Sequence, residues 1–199
     1  MKDFLGGTGA PPVSPSKRGR GTRGTGEPIP IGFIGRLDPV KRIPDLLEAI
    51  RLLQPGVHLH LFGEGGQRRN IESMVERLNL SQAVSLHGAI ARPQDALSQI
   101  ELLVLPSAAE GFGLVLIEAM AAGVAVVATD VPGIRDVIRN EKTGLLAPPF
   151  SPPALAREIE RLLRDDELRR RLIDRARQDV RERFTWDIVL PRYRSLLEL

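Results

Sequence analysis

The 199-residue chain has no cysteine. Without a thiol there is no disulfide framework and no thiolate metal site, and a reducing cytoplasm suits such a chain. Aromatic residues make up only 4%, too few for a surface that stacks successive nucleic-acid bases. No apolar run approaches the roughly 20 residues that a membrane helix needs, so no transmembrane segment is expected. The first thirty residues also lack the apolar stretch of a secretory signal. Positive charge is missing where a nucleic-acid surface would need it. The formal net charge is +3, and residues 1–30 hold all of it: Lys2, Lys17, Arg18, Arg20 and Arg23 against Asp3 and Glu27. The remainder sums to zero, so no nucleic-acid partner is expected.

What remains is ordinary globular material, 42% hydrophobic and 27% charged, in a length that suits one domain with a full core. Seven glycines and five prolines fall within residues 1–30, with an echo between Gly7-Thr8-Gly9-Ala10-Pro11 and Gly24-Thr25-Gly26-Glu27-Pro28. Such a segment buries too little apolar surface to offset its ordering entropy. Residues 1–30 therefore read as a disordered Gly/Pro/Arg-rich tail, and 31–199 as the domain.

From Ile31 onward, short apolar runs alternate with amphipathic stretches. Strands are expected at 31–34, 57–62, 83–86, 102–105, 124–128 and, weakly, 144–147. Continuous runs such as Leu102-Leu-Val-Leu105 suit strands covered on both faces. Helices are expected at about 43–54, 67–79, 92–100, 114–122 and 132–140. After Pro153 the chain reads as helical almost to its end, with a break near Phe184–Asp187. This order predicts an α/β fold: a Rossmann-like, doubly wound parallel sheet of about six strands, helices on both faces, and a helical C-terminus. Ligands of such sheets lie at the carboxyl ends of the strands, which directs attention to the loops there.

Three of those loops have distinctive chemistry. Gly35-Arg36-Leu-Asp-Pro-Val-Lys41 follows the first strand, and its two cations either face an anion or are solvated surface charges. Gly63-Glu64-Gly65-Gly66 follows the second, where glycines can present backbone N–H groups to a ligand or simply make a turn. Glu110-Gly-Phe-Gly113 opens the helix at 114–122, whose free amides make an anion site. That helix reads Leu-Val-Leu-Ile-Glu-Ala-Met-Ala-Ala, apolar on every face except Glu118, so burial on all sides is expected. A buried carboxylate needs donors. A vicinal diol such as a ribose would supply two; a structural amide or a nearby cation is the alternative.

Gly-Arg-Leu-x-x-x-Lys, Gly-x-Gly, Leu-Pro-Ser-x-x-Glu-Gly-Phe-Gly-x-x-x-x-Glu-Ala-Met-Ala-x-Gly and Thr-Gly-Leu-Leu follow one another in that order. The series closely resembles the group 1 retaining glycosyltransferases of family 4, over about Ile31 to Trp186. The resemblance implies a hexosyltransferase of the two-domain GT-B architecture, of which this chain looks like the C-terminal, donor-binding domain. It further implies a nucleotide-diphosphate sugar as donor, no cofactor and no metal. Arg36 and Lys41 would hold the diphosphate and stabilise the leaving group. Glu110 would contact hydroxyls of the donor sugar, and the amides around Phe112, Gly113 and Leu114 would meet sugar and phosphate. Glu118 would accept from the ribose, and Ile90 would position the nucleobase through its backbone. The sequence departs from the family at Arg42 (usually glycine), Gly66 (commonly proline) and Glu101 (usually aspartate).

Residues 1–30 cannot form the other GT-B domain. An N-terminal acceptor-binding domain is therefore expected in cis or in trans, and the isolated chain is expected to bind a donor weakly and transfer no sugar. A non-catalytic nucleotide-sugar-binding module is the competing reading. In the family the last helix packs on the partner domain, which leaves an exposed apolar side on Trp186–Leu199. A cytoplasmic location follows from the resemblance, with peripheral attachment at the inner membrane face through the other domain.

Other features read as structural. His58 and His60 alternate along a strand and share one face, without a third metal ligand evident. His87 ends the next strand beside the expected pocket. Asp165-Asp166-Glu167 reads as a helix start rather than a metal triplet, and the arginines from Arg161 to Arg183 as a solvated helix face.

Overall fold

The computed structural model describes residues 27–197; the disordered tail expected upstream lies, over residues 1–26, outside the described residues. Six strands make one sheet: β1 (Ile29–Ile34), β2 (Val57–Phe62), β3 (Val84–Gly88), β4 (Leu102–Leu105), β5 (Ala125–Thr129) and β6 (Leu145–Ala147). All pairings are parallel, in the order β3-β2-β1-β4-β5-β6. Every residue of β4 and β5 is buried, as expected of apolar runs covered on both faces. β2 instead alternates, burying Val57, Leu59 and Leu61 while His58 and His60 are half-exposed on the opposite face. β1 begins at Ile29, two residues before its expected start: the Ile29 amide donates to the Gly56 carbonyl at 3.0 Å, and the Pro30 carbonyl accepts from Glu101 at 2.9 Å.

Helices α1 (Ile43–Leu52), α2 (Arg68–Arg77), α3 (Pro93–Leu97), α4 (Leu114–Ala122), α5 (Pro132–Arg135), α6 (Pro152–Arg164), α7 (Asp166–Arg183) and α8 (Trp186–Leu197) complete the fold. α6 packs on α1, β5 and β6, and α7 packs on α4. Asp165 separates α6 from α7 and accepts from the Leu168 amide at 2.8 Å, which makes the acidic triplet a helix cap. The break at Phe184-Thr185 lies where the sequence predicts it.

Two helices are shorter than their apolar periodicity implies, because polar side chains compete for backbone groups. α3 stops at Leu97, where Ser98 Oγ and Gln99 Nε2 both donate to the Asp95 carbonyl at 3.0 and 2.8 Å. α5 stops at Arg135, and the Arg139 amide donates to Thr143 Oγ1 at 2.9 Å instead of extending the helix. α4 has its expected bounds but not its expected burial. Leu116, Ala119 and Met120 are buried, whereas Leu114 is 67% exposed and Ala121 and Ala122 face solvent.

The strand order reverses direction between β1 and β4. Successive strands first extend to one side of β1, as β2 and β3, then to the other, as β4, β5 and β6. A crevice opens at such a switch point, outside the carboxyl ends of the two central strands. The loops from Gly35 to Arg42 and from Pro106 to Gly113 form its walls.

Candidate functional site

Three loops are laced together at the carboxyl edge of the sheet. The Gly35 amide donates to the Phe62 carbonyl at 3.0 Å, and that of Leu37 to the Glu64 carbonyl at 2.8 Å. Gly63 has φ +145°, and a Cβ there would run into the Gly35 carbonyl oxygen. Gly63 thus lets two loop backbones touch, which gives this glycine a structural reason within the turn. On the other side the Ala108 amide donates to the Val40 carbonyl at 2.8 Å. The buried Thr129 hydroxyl donates to the Ser107 carbonyl, and a Cβ on Gly133 would meet the Glu110 carbonyl oxygen.

This lacing brings Lys41 to Glu110. Lys41 Nζ donates to Glu110 Oε2 at 2.6 Å, and each side chain is only 16% exposed. Ser107 Oγ donates to the same oxygen at 3.3 Å. Ser107 is fully buried; it stands in the Leu-Pro-Ser motif, the one signal that could have marked it as part of the site. Arg36, with its side chain 81% exposed, pairs with Asp38 at 3.0 Å. Both cations therefore already face carboxylates. Arg36, Lys41, Glu110, Phe112, Gly113 and Leu114 all border one cleft of about 410 Å³.

The departure at Arg42 has a structural explanation. Arg42 has φ +52°, ψ +38°, a left-handed conformation that glycine adopts without penalty, at the junction between a 3-10 turn (Pro39–Lys41) and α1. Its guanidinium grips Asp45 in a two-pronged pair at 2.9 and 2.7 Å and lies 5.0 Å from the centre of the Phe150 ring. These contacts hold a non-glycine residue where the backbone turns. Gly66 has open space at its missing Cβ, so nothing there opposes a side chain.

Gly113 caps the start of α4 in a left-handed conformation (φ +73°), with no side-chain cap on the helix amides. Phe112, 42% exposed, meets Phe184 edge-on at 5.9 Å. Glu118 lies one turn further along α4 on the side of Leu114 and Val115, by helical spacing. It is half-buried, and no donor among the described residues reaches it. Burial pushes its carboxyl above the usual carboxylate range. The full burial from which a donor was inferred is thus absent at Glu118, whose half-exposed carboxylate is open to solvent. Ile90 follows β3, which is two strands from β1, or about 10 Å by strand spacing. It is half-buried against the core and outside the cleft that holds the cations.

The histidines form their own group on the outer face of β2 and β3. His60 Nδ1 is 2.9 Å from His87 Nε2, His58 Nε2 is 2.9 Å from Ser85 Oγ, and the His87 ring stacks on Phe62 at 4.5 Å. His87 is therefore turned toward His60 rather than into the cleft. Desolvation, and secondarily the neighbouring His58 and His87, lower the pKa of His60 to about 4. No group of three or more metal-ligating side chains occurs among the described residues, and no described helix is long and apolar enough to cross a membrane.

The chain and its fold resemble those of known proteins. The poly(ribitol-phosphate) alpha-N-acetylglucosaminyltransferase of Staphylococcus aureus is 34% identical over 170 residues, covering 83% of this chain and 34% of that enzyme. Anabaena HepE, solved with UDP-glucose, superposes with a TM-score of 0.81 at 26% identity, over 87% of this chain and 50% of HepE. The C-terminal domain of a group 1 glycosyl transferase, LpcC of Francisella tularensis, gives a TM-score of 0.71 at 26% identity, over 79% of this chain and 86% of that domain. The chain thus spans a third to a half of the first two relatives. The sequence model of the glycosyl transferases group 1 matches residues 20–179. On that match, together with the parallel sheet and the loops at its switch point, the chain belongs to the group 1 glycosyltransferases of the GT-B fold.

Proposed function

We propose that this chain is the donor-binding half of a retaining hexosyltransferase that uses a nucleotide-diphosphate sugar. The observation that carries the reading is the juxtaposition of Lys41 and Glu110 at the switch point, with Glu118 one turn along α4 and without a donor among the described residues. A sugar nucleotide offers both kinds of group such a site needs, an anionic diphosphate for the cations and hydroxyls for the carboxylates. HepE, with UDP-glucose bound, supports this choice of ligand class.

In this reading Lys41 and Arg36 receive the diphosphate and stabilise the charge that develops on it as the glycosidic bond to the sugar breaks. Glu110 accepts from hydroxyls of the transferred sugar. The amides from Phe112 to Leu114 contribute partial positive charge at the helix start. Glu118 accepts from the ribose, and the base lies toward Ile90 on the β3 side. Protein cations neutralise the diphosphate, so chelation of divalent metal leaves binding unchanged.

The acceptor site belongs to a second, N-terminal domain, in cis or in trans. Exposed apolar groups support a covering domain: Leu114 at 67% and Phe112 at 42% line the cleft, and Trp186 at 79% follows Phe184, which meets Phe112. Transfer alone is not expected from this chain. Titration with UDP, ADP and GDP in the presence of a chelator, for the wild type, Lys41→Ala and Glu118→Ala, tests the site. Both variants are expected to lose about tenfold in affinity or more; unchanged affinity in both overturns the assignment.

A further inference from the structure

We infer that the Lys41–Glu110 pair makes the site discriminate against free nucleoside diphosphate in favour of the intact sugar nucleotide, so that Glu110 promotes product release. This rests on the donor-binding reading above and assigns Glu110 a role besides its contact with the sugar.

The charges facing the cleft carry the inference. Lys41 is bound by Glu110 at 2.6 Å and Arg36 by Asp38 at 3.0 Å. The third cation of these loops, Arg42, is likewise held by Asp45. A polyanion entering here therefore meets no unpaired cation among the described residues of these loops. It reaches Lys41 only by sharing or displacing the Glu110 carboxylate, and that carboxylate cannot retreat freely. The Glu110 backbone is held against Gly133, and Ser107, itself buried and held through its carbonyl by Thr129, donates to the same Oε2. With a side chain only 16% exposed, Glu110 has little solvent to turn to, so its repulsion of a nearby phosphate is poorly screened.

The intact donor compensates for the loss. As its diphosphate takes Lys41, its sugar hydroxyls donate to Glu110, and both members of the broken pair regain a partner. After transfer the sugar is gone. The nucleoside diphosphate then still occupies Lys41 but leaves Glu110 with only the Ser107 hydroxyl, beside a phosphate that has gained negative charge. Reformation of the Lys41–Glu110 bond competes with the product and not with the donor. The same pair that admits the sugar nucleotide thereby favours departure of what is left.

The test is calorimetric titration of the full chain with UDP and with UDP-glucose, and in parallel with the ADP and GDP pairs, for wild type and Glu110→Gln. Glutamine keeps an acceptor for sugar hydroxyls and removes the charge. Glu110→Gln is expected to bind nucleoside diphosphate about tenfold more tightly, with sugar-nucleotide affinity changed by no more than about threefold. Lys41→Gln is expected to weaken both ligands. Should Glu110→Gln not fold, as judged by its melting transition, Glu110→Ala serves: nucleoside diphosphate still tightens while sugar nucleotide weakens. Equal shifts for both ligands, or no shift, overturn this role. Wild-type chain that binds none of the nucleotides overturns the donor-binding reading itself.

Discussion

Lys41 and Glu110 are 69 residues apart in the chain, yet Nζ and Oε2 are 2.6 Å apart in a pair largely withdrawn from solvent. The contact exists because β1 and β4 are neighbours in the sheet, which brings the loops after them together. Removing one partner leaves the other charge partly desolvated. Lys41→Ala and Glu110→Ala are each expected to destabilise the domain by about 1–2 kcal/mol, and the double variant by about 1 kcal/mol less than their sum. Denaturant titrations of the four proteins measure that coupling. Additive losses would mean that the pair contributes nothing to stability.

Gly63 and Gly66 lie in the same turn but have opposite surroundings. Gly63→Ala forces a Cβ onto the Gly35 carbonyl with the backbone at φ +145°, and is expected to cost about 3 kcal/mol. Gly66→Ala enters open space and is expected to stay within about 0.5 kcal/mol. Thermal melts compare them directly, and similar losses would contradict the packing described for the two loops.

Arg42 combines an unfavourable backbone with favourable side-chain contacts. Arg42→Gly relieves the left-handed strain while losing the Asp45 pair and the Phe150 contact, so stability is expected to change by less than about 1 kcal/mol. Arg42→Ala loses the contacts and retains the strain, and is expected to be the worse variant by about 1 kcal/mol. Reversal of that order in a denaturation series would disprove the compensation.

His60 links stability to pH. Its folded pKa, about 4, lies below the ordinary histidine value of 6.5. Between those values the unfolded chain binds the extra proton, so its contribution is intact above about pH 6.5 and declines as pH falls toward 4. His60→Gln is expected to flatten the dependence of melting temperature on pH across that window. A slope unchanged by the substitution would assign the acid sensitivity to other groups.

Trp186 at 79% and Leu190 at 41% exposure leave apolar surface on α8. Concentration-dependent self-association of this chain is expected, reduced by Trp186→Ser. Sedimentation over a range of concentrations measures it, and a monomer throughout would show that the surface is benign.

Local chemistry was enough for the elements. Leu102–Leu105 reads as a doubly covered strand because four consecutive apolar residues leave no polar face, and α4 has the bounds its sequence implies because glycines in left-handed conformations, Gly113 and Gly123, close both ends. The ordered motifs pointed to Arg36, Lys41, Glu110 and Glu118, of which the first three border one cleft while Glu118 lies a turn further along α4. Tertiary structure alone decided who faces whom. The early ends of α3 and α5 depend on side chains that bind particular carbonyls and amides, and periodicity does not register such competition. That α4 is half-exposed follows from which neighbours cover it, not from its composition. Above all, two cations legible as a phosphate clamp turned out to be paired with carboxylates. Sequence lists the charges in a loop, but their sum in a cleft depends on which loops the sheet brings together.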